Sequence, residues 1–235
     1  MSGRVIALDG PAASGKSSTA RAVAERIGFL HLDSGALYRG VTRVALDAAA
    51  ALGEDDDPLA IVTPEGMLRD AEQRGLSLYP DGAGFEAYLD GEPAERRIRD
   101  DAVTAHVSAV SALPAVREWV NAVLRSQVRS GRDVVVDGRD IGTVVFPDAA
   151  LKVFLVAAPE VRARRRMEQR GDAVGADELL RETARLAARD LADASRAVAP
   201  LVRAPTAIEV DSGALTFDAQ VDRILDLARE AGLSG

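Results

Sequence analysis

The sequence predicts an α/β fold: a P-loop parallel five-stranded sheet flanked by helices, interrupted by an inserted subdomain with a small antiparallel sheet, and followed by a short lid. Three observations predict it. Short apolar runs recur at residues 4–8, 29–32, 133–136, 151–156 and 207–210 with helix-like segments between them, the alternation of a parallel sheet covered by helices. The run GPAASGKSS at residues 10–18 follows the first strand and opens a helix over about 17–26. The second apolar run stops at residue 32 and the third begins at 133, a separation far beyond one crossover helix, so a subdomain is inserted there.

After the first strand, Gly10, Gly15, Lys16 and Ser17 fit the pattern G-x-x-x-x-G-K-[ST]. Glycines let backbone N–H groups close around phosphate oxygens, the lysine places a point charge at the β/γ-phosphates, and the serine hydroxyl faces Mg²⁺. The candidate ATP-binding residues are therefore Gly10, Pro11, Ala12, Ala13, Ser14, Gly15, Lys16, Ser17 and Ser18. Only Lys16 and Lys152 of the 29 basic residues are lysines, and one of the two occupies the motif position.

The second strand leads into DSGALYR, residues 33–39, which places the Ser34 hydroxyl and the Arg39 guanidinium at a helix start, at the sheet edge where α/β proteins bind ligands. The insertion follows. Within it, residues 76–79 and 85–89 flank the turn-rich 80–84 and predict an antiparallel hairpin. The acidic run 54–57 reads as a solvated loop and the alanines at 48–51 as helix filler.

The third strand ends in Asp137-Gly138-Arg139-Asp140, which sets two carboxylates and an arginine at the same sheet edge as the P-loop; a charged turn with a salt bridge has the same composition. Asp137, beside the P-loop, is a candidate to hold Mg²⁺ through water. Further on, Arg162, Arg164, Arg165, Arg166 and Arg170 precede the two-glycine segment 171–175, which suggests a mobile lid closing on phosphate; the plainer alternative for most of them is a solvated helix face. Arg189, Asp193 and Arg196 recur at i, i+4, i+7 and are expected on one helix face, as an exposed ion-pair ladder would be. A final helix is expected over 217–231.

The 235 residues are 47% hydrophobic and 28% charged, which fits a soluble globular chain. A net charge of −8 argues against a nucleic-acid binder, because that affinity comes from basic residues neutralising phosphates. The absence of cysteine excludes disulfides and thiolate metal sites, and with no signal-like or membrane-length apolar run the expectation is a cytoplasmic protein without a membrane partner. His31 and His106 have no second histidine or cysteine nearby and read as structural.

Together GPAASGKSS, DSGALYR, DGRDIGTVVFPDA and RDLADASRAVAPL, in this order and spacing, resemble the bacterial cytidylate kinases over nearly the whole chain. The resemblance implies transfer of the γ-phosphoryl of ATP to CMP or dCMP with Mg²⁺, by a monomer. Other small P-loop kinases, of UMP/AMP or shikimate type, or a P-loop NTPase switch, are the alternatives. It implies a core over residues 1–36 and 116–235 with a lid at about 158–176, and an inserted nucleoside monophosphate-binding subdomain over 37–115. Ser34, Arg117 and Asp140 would contact cytosine, Arg39 and Arg139 the acceptor phosphate, and Ser108, Arg189 and Asp193 the sugar. Lys16, Arg139 and Arg196 would be catalytic. Ala192 and Ala194 depart from members that carry arginine there.

Overall fold

The computed structural model describes residues 3–53 and 58–233, so the acidic run 54–57 lies outside the described residues. The chain divides into two compact units, Met1–Leu32 with Val128–Gly235, and Asp33–Gln127. The first unit opens with β1 (Val5–Asp9), every residue of which is buried. Helix α1 (Lys16–Ile27) runs between Gly15 at φ 86° and Gly28 at φ 71°, left-handed positions that suit glycine. Strand β2 (Leu30–Asp33) follows.

The second unit begins with α2 (Ser34–Ala51), whose first turn is capped by the Asp33 carboxylate accepting from the Gly35 N–H. Thr63 caps α3 (Pro64–Gln73) in the same way at Gly66. A meander follows, β3 (Ser77–Asp81), β4 (Gly84–Leu89) and β5 (Glu92–Pro93). Then come a 3₁₀ turn at Arg97–Arg99, α4 (Asp101–Val110) and α5 (Pro114–Arg129).

The expected hairpin is present, with a correction. Its strands reach Asp81 and Gly84, leaving only Gly82, at φ 52°, and Ala83 as the turn. Pro80 suggested a longer loop; it lies instead in an edge strand, where its missing N–H need cost no ladder bond. Strand β5 was not anticipated. Asp90 and Gly91, at φ 60° and 79°, form the two-residue Asp-Gly turn that joins it to β4.

Back in the first unit come β6 (Val134–Gly138), a π-helical turn at Ile141–Val145 and β7 (Leu151–Val156). Helices α6 (Pro159–Arg170) and α7 (Ala176–Ala194), strand β8 (Ile208–Asp211) and helix α8 (Phe217–Glu230) complete it. The strands lie in the order β2-β6-β1-β7-β8. Strand β1 is parallel to β6, from Val5 opposite Val134 to Asp9 opposite Gly138, and to β7 on its other side; β8 is parallel to β7.

Central β1 therefore has neighbours that both come from much later in the chain, and its C-terminal end is the topological switch point where α/β sheets bind ligands. Ala20, Val23 and Ala24 on α1 and Val221, Ile224 and Ala228 on α8 pack in one core with Ile6, Leu8, Val153 and Leu155. Their helical spacing of three and four residues turns one face inward. Each large aliphatic side chain so buried stabilises by about 1.5–3 kcal/mol, and a charge at Ile224 would cost more than that. Among the described residues no helix is long and apolar enough to cross a membrane.

Candidate active site

The P-loop is fixed by backbone geometry before any ligand is considered. Gly10 sits at φ 151°, and a Cβ there would collide with the Leu155 carbonyl, so the loop crosses β7 too closely for a side chain. Ala13 adopts φ 57°, a left-handed conformation that costs about 1 kcal/mol or more outside glycine and occurs at ligand clamps. Ala12 packs on Ala163 and Leu186, from α6 and α7. Its N–H donates to Asp190 Oδ1 at 2.9 Å, and its carbonyl accepts from Arg162 Nη1 at 2.8 Å. Arg162 and Asp190 are themselves paired at 2.6 Å.

Lys16 is buried, and its Nζ donates to the Pro11 carbonyl at 2.7 Å across the loop. Burial pushes its pKa down to about 7, Arg139 and Arg189 push the same way, and Asp137 and Asp9 oppose them. A triphosphate would add further negative charge beside this lysine and favour its charged form. The Ser14 hydroxyl is buried without a hydrogen-bond partner among the described residues.

At the end of β6, Ser17 Oγ donates to Asp137 Oδ2 at 2.6 Å, and His31 Nε2 lies 2.8 Å from Asp137 Oδ1. Strand β1 ends at Asp9 rather than residue 8, which brings that carboxylate into the site. It accepts the N–H groups of Ile141 and Gly142 at 2.8 and 2.7 Å. Burial pushes Asp9 up to about 6, against the lowering effect of those two N–H bonds. Asp9 thus ties the residue before the P-loop to the turn that follows Arg139 and Asp140.

Asp140 is buried, and its carbonyl accepts from Val144 N–H at the start of the π-helical turn. Arg139 Nε donates to Asp193 Oδ2 at 2.8 Å, and Arg196 Nη2 to Asp193 Oδ1. Two corrections follow. Helix α7 stops at Ala194, so Arg196 lies beyond it and does not extend the face of Arg189 and Asp193. Nor is the trio an exposed ladder, because Asp193 is only 2% exposed and bracketed by two arginines. The structure joins Lys16, Asp137, Arg139, Arg189, Asp193 and Arg196 in one charge network of the first unit.

Of the five arginines before the expected lid, Arg164 and Arg170 are exposed, as a solvated face would be, whereas Arg162, Arg165 and Arg166 are drawn in. Arg162 is buried as described, Arg165 donates to the Ser212 carbonyl, and Arg166 and Arg170 pair with Glu182 of α7. Gly171, at φ 74°, ends α6, and residues 172–175 have no regular structure before α7.

In the second unit, Ser34 is the buried first residue of α2. Arg39 Nη1 donates to Thr104 Oγ1 at 3.0 Å. Arg117 donates to the Ser111 carbonyl at 2.9 Å, with its guanidinium 5.5 Å from the Tyr38 ring centroid. Ser108 is half-buried on α4, and His106 on the same helix bonds the Ala102 carbonyl. Reasoning from the sequence missed Asp9, Asp190 and the role of His31. No motif marks them, because each acts through a partner more than a hundred residues away.

A parallel sheet with a glycine loop and a buried lysine at its switch point defines a P-loop nucleotide-binding protein. The cytidylate kinase family model matches residues 6–230, and the chain belongs to that family. The cytidylate kinase of Mycobacterium avium (strain 104) is 41% identical over 226 residues, covering 96% of this chain and 95% of that protein. The cytidylate kinase of Limosilactobacillus fermentum is 39% identical over 222 residues, covering 93% and 92%. Among solved structures, an uncharacterized protein from Eubacterium ventriosum ATCC 27560 superposes with a TM-score of 0.50 at 12% identity, covering 96% of this chain and 98% of that one. That likeness speaks to the fold alone.

Proposed function

We propose that this cytidylate kinase, which transfers the γ-phosphoryl group of ATP to CMP or dCMP, does so through the P-loop network of its first unit. The observation that carries the activity is the family match across residues 6–230, joined to a buried Lys16 that donates to the Pro11 carbonyl of the loop itself. Phosphoryl transfer passes through a loose transition state, so alignment and neutralisation of spreading negative charge supply most of the catalysis. We assign that work to Lys16, Arg139 and Arg196. The second pKa of a phosphomonoester is about 6, so the acceptor is already largely dianionic at neutral pH and needs no side-chain base.

Gly10 to Ser18 hold the ATP phosphates in this reading. Ser34, Arg117 and Asp140 read cytosine, Arg39 and Arg139 hold the acceptor phosphate, and Ser108, Arg189 and Asp193 serve the sugar. We take residues 1–36 and 116–235 as the core with a lid at about 158–176, and 37–115 as the acceptor-binding insertion. Ser17 and Asp137 offer hard oxygen donors 2.6 Å apart, a donor set that fits Mg²⁺. When bound there, the ion would neutralise charge on the β- and γ-phosphates. A monomer in the cytoplasm, acting on small nucleotides rather than nucleic acid, fits the net charge of −8 and the lack of cysteine.

A nucleotide panel in a coupled ADP-release assay tests the proposal. CMP and dCMP should be used best, UMP and AMP poorly, and ADP should form only slowly without an acceptor. Preference for AMP or UMP would assign a different kinase; acceptor-independent hydrolysis would point to an NTPase switch.

A further inference from the structure

We infer that His31 is a positioning residue for the divalent cation: from β2 it fixes the Asp137 carboxylate that, with Ser17, makes the cation side of the phosphate site. The inference rests on the reading of Ser17 and Asp137 as that side.

The geometry is a chain of three side chains from three elements. Ser17, at the start of α1, donates to one Asp137 oxygen at 2.6 Å. His31 Nε2 meets the other at 2.8 Å. Both His31 and Asp137 are buried, at 4% and 3% exposure. An ionised carboxylate only accepts, so Nε2 carries the proton and donates.

Strand order explains why these residues meet. Strand β2 lies beside β6, with the Leu30 N–H bonded to the Asp133 carbonyl, so the side chain of the next β2 residue can reach the carboxylate near the end of β6. A carboxylate held on both oxygens cannot rotate about its Cβ–Cγ bond. A cation binding directly or through water then meets a fixed set of lone pairs instead of ordering a free side chain. Groups that orient cation-binding residues from behind typically account for about 10- to 100-fold in metal affinity.

A packing role alone would make a different prediction. A leucine at position 31 would fill much the same space and preserve a buried apolar contact, yet it cannot donate. Glutamine can place an amide N–H near the position of Nε2, whereas asparagine is one methylene shorter.

The test is isothermal calorimetry of a non-hydrolysable ATP analogue binding to the intact protein, with Mg²⁺ and with chelator, reporting the gain in affinity due to the cation. Water-proton relaxation with Mn²⁺ in place of Mg²⁺ gives a second, activity-independent readout. In His31→Leu the gain should fall about tenfold relative to wild type while chelator-only affinity is unchanged, and His31→Gln should recover it to within about threefold. If His31→Leu fails to fold by circular dichroism, His31→Asn takes its place with the same expected loss.

Two results would overturn the inference separately from the site itself: a full gain in His31→Leu, or an equal loss in His31→Gln and His31→Leu, which would make the imidazole a packing group. A wild-type protein that binds the analogue equally well with and without Mg²⁺ would instead remove Ser17 and Asp137 as the cation side, and the inference with them.

Discussion

Asp9 in the first unit and Asp90 in the second respond to folding in opposite directions. Asp9 is buried at the end of β1, and burial outweighs two backbone N–H bonds, so its carboxyl is pushed up to about 6. Asp90 lies in the turn between β4 and β5, where hydrogen bonding from Arg74 and then Arg97 outweighs slight desolvation and pulls it down to about 2. The first unit buries its charges and leaves them imperfectly compensated, which is costly unless a ligand completes the network. The second unit keeps the Asp90 pairs at its surface, where they fasten a turn and little else.

Breaking the buried side should have the largest effect. Lys16→Ala removes a contact to charge that develops during transfer, worth about 2–4 kcal/mol of barrier and hence about 30- to 1,000-fold in kcat. The fold should survive, because the variant also removes a desolvated ammonium. Activity within a few-fold of wild type, with unchanged circular dichroism, would take Lys16 out of the catalytic set.

Next in size is base choice. Cytosine offers an N4 amino donor beside ring acceptors, so the Asp140 carboxylate can accept while a guanidinium donates. Uracil turns a carbonyl oxygen toward the same carboxylate, at a cost of about 1–3 kcal/mol, or about 10- to 100-fold in kcat/KM. Asp140→Asn can donate to that carbonyl and should narrow the CMP/UMP ratio. An unchanged ratio would mean that Asp140 is not the reader.

The position of Asp140 just past the end of a strand was legible because an apolar run precedes it, whereas the strand order was not, since alternating apolar runs and helices are compatible with several orders. What could not be read was pairing across long sequence separation. Arg189, Asp193 and Arg196 have helical spacing, yet α7 ends at Ala194 and Asp193 is buried between Arg139 and Arg196. Nothing in the sequence separates the five arginines of 162–170; Arg162 grips the P-loop at the Ala12 carbonyl while paired with Asp190. Strand β5 is two residues long, too short for periodicity to signal, and only its Asp-Gly turn could have revealed it.

A smaller effect separates Lys16's charge from its mere presence. Burial, then Arg139, hold the lysine at about 7 in the free protein, so above pH 7 it is mostly neutral and below pH 6 mostly charged. A triphosphate favours the charged form, and binding should therefore take up close to one proton at pH 8 and almost none at pH 6. Affinity for ATP should weaken above pH 7 by up to about tenfold per unit. Calorimetry in buffers of different ionisation enthalpy measures the uptake. Equal uptake in Lys16→Met would mean that the lysine is already charged before ATP arrives.

The smallest effect belongs to the exposed side. Asp90 sits at φ 60°, a conformation asparagine tolerates well, so Asp90→Asn tests charge with little change in backbone strain. Its own N–H still donates to the Arg74 carbonyl at 2.7 Å, and only the bonds from Arg74 and Arg97 to the carboxylate weaken. With Asp90 40% exposed and Arg97 41%, solvent screening leaves about 0.5 kcal/mol at neutral pH. A carboxyl with a lowered pKa stabilises the fold above its ordinary value near 3.8 and loses that contribution as pH falls toward 2. In urea titrations, wild type and Asp90→Asn should therefore differ slightly at pH 6, converge as the pH falls to about 2 and below, and converge also in about 1 M salt. A difference above about 2 kcal/mol that persists in salt would put this turn in the same class as the buried network, and the contrast between the two units would fail.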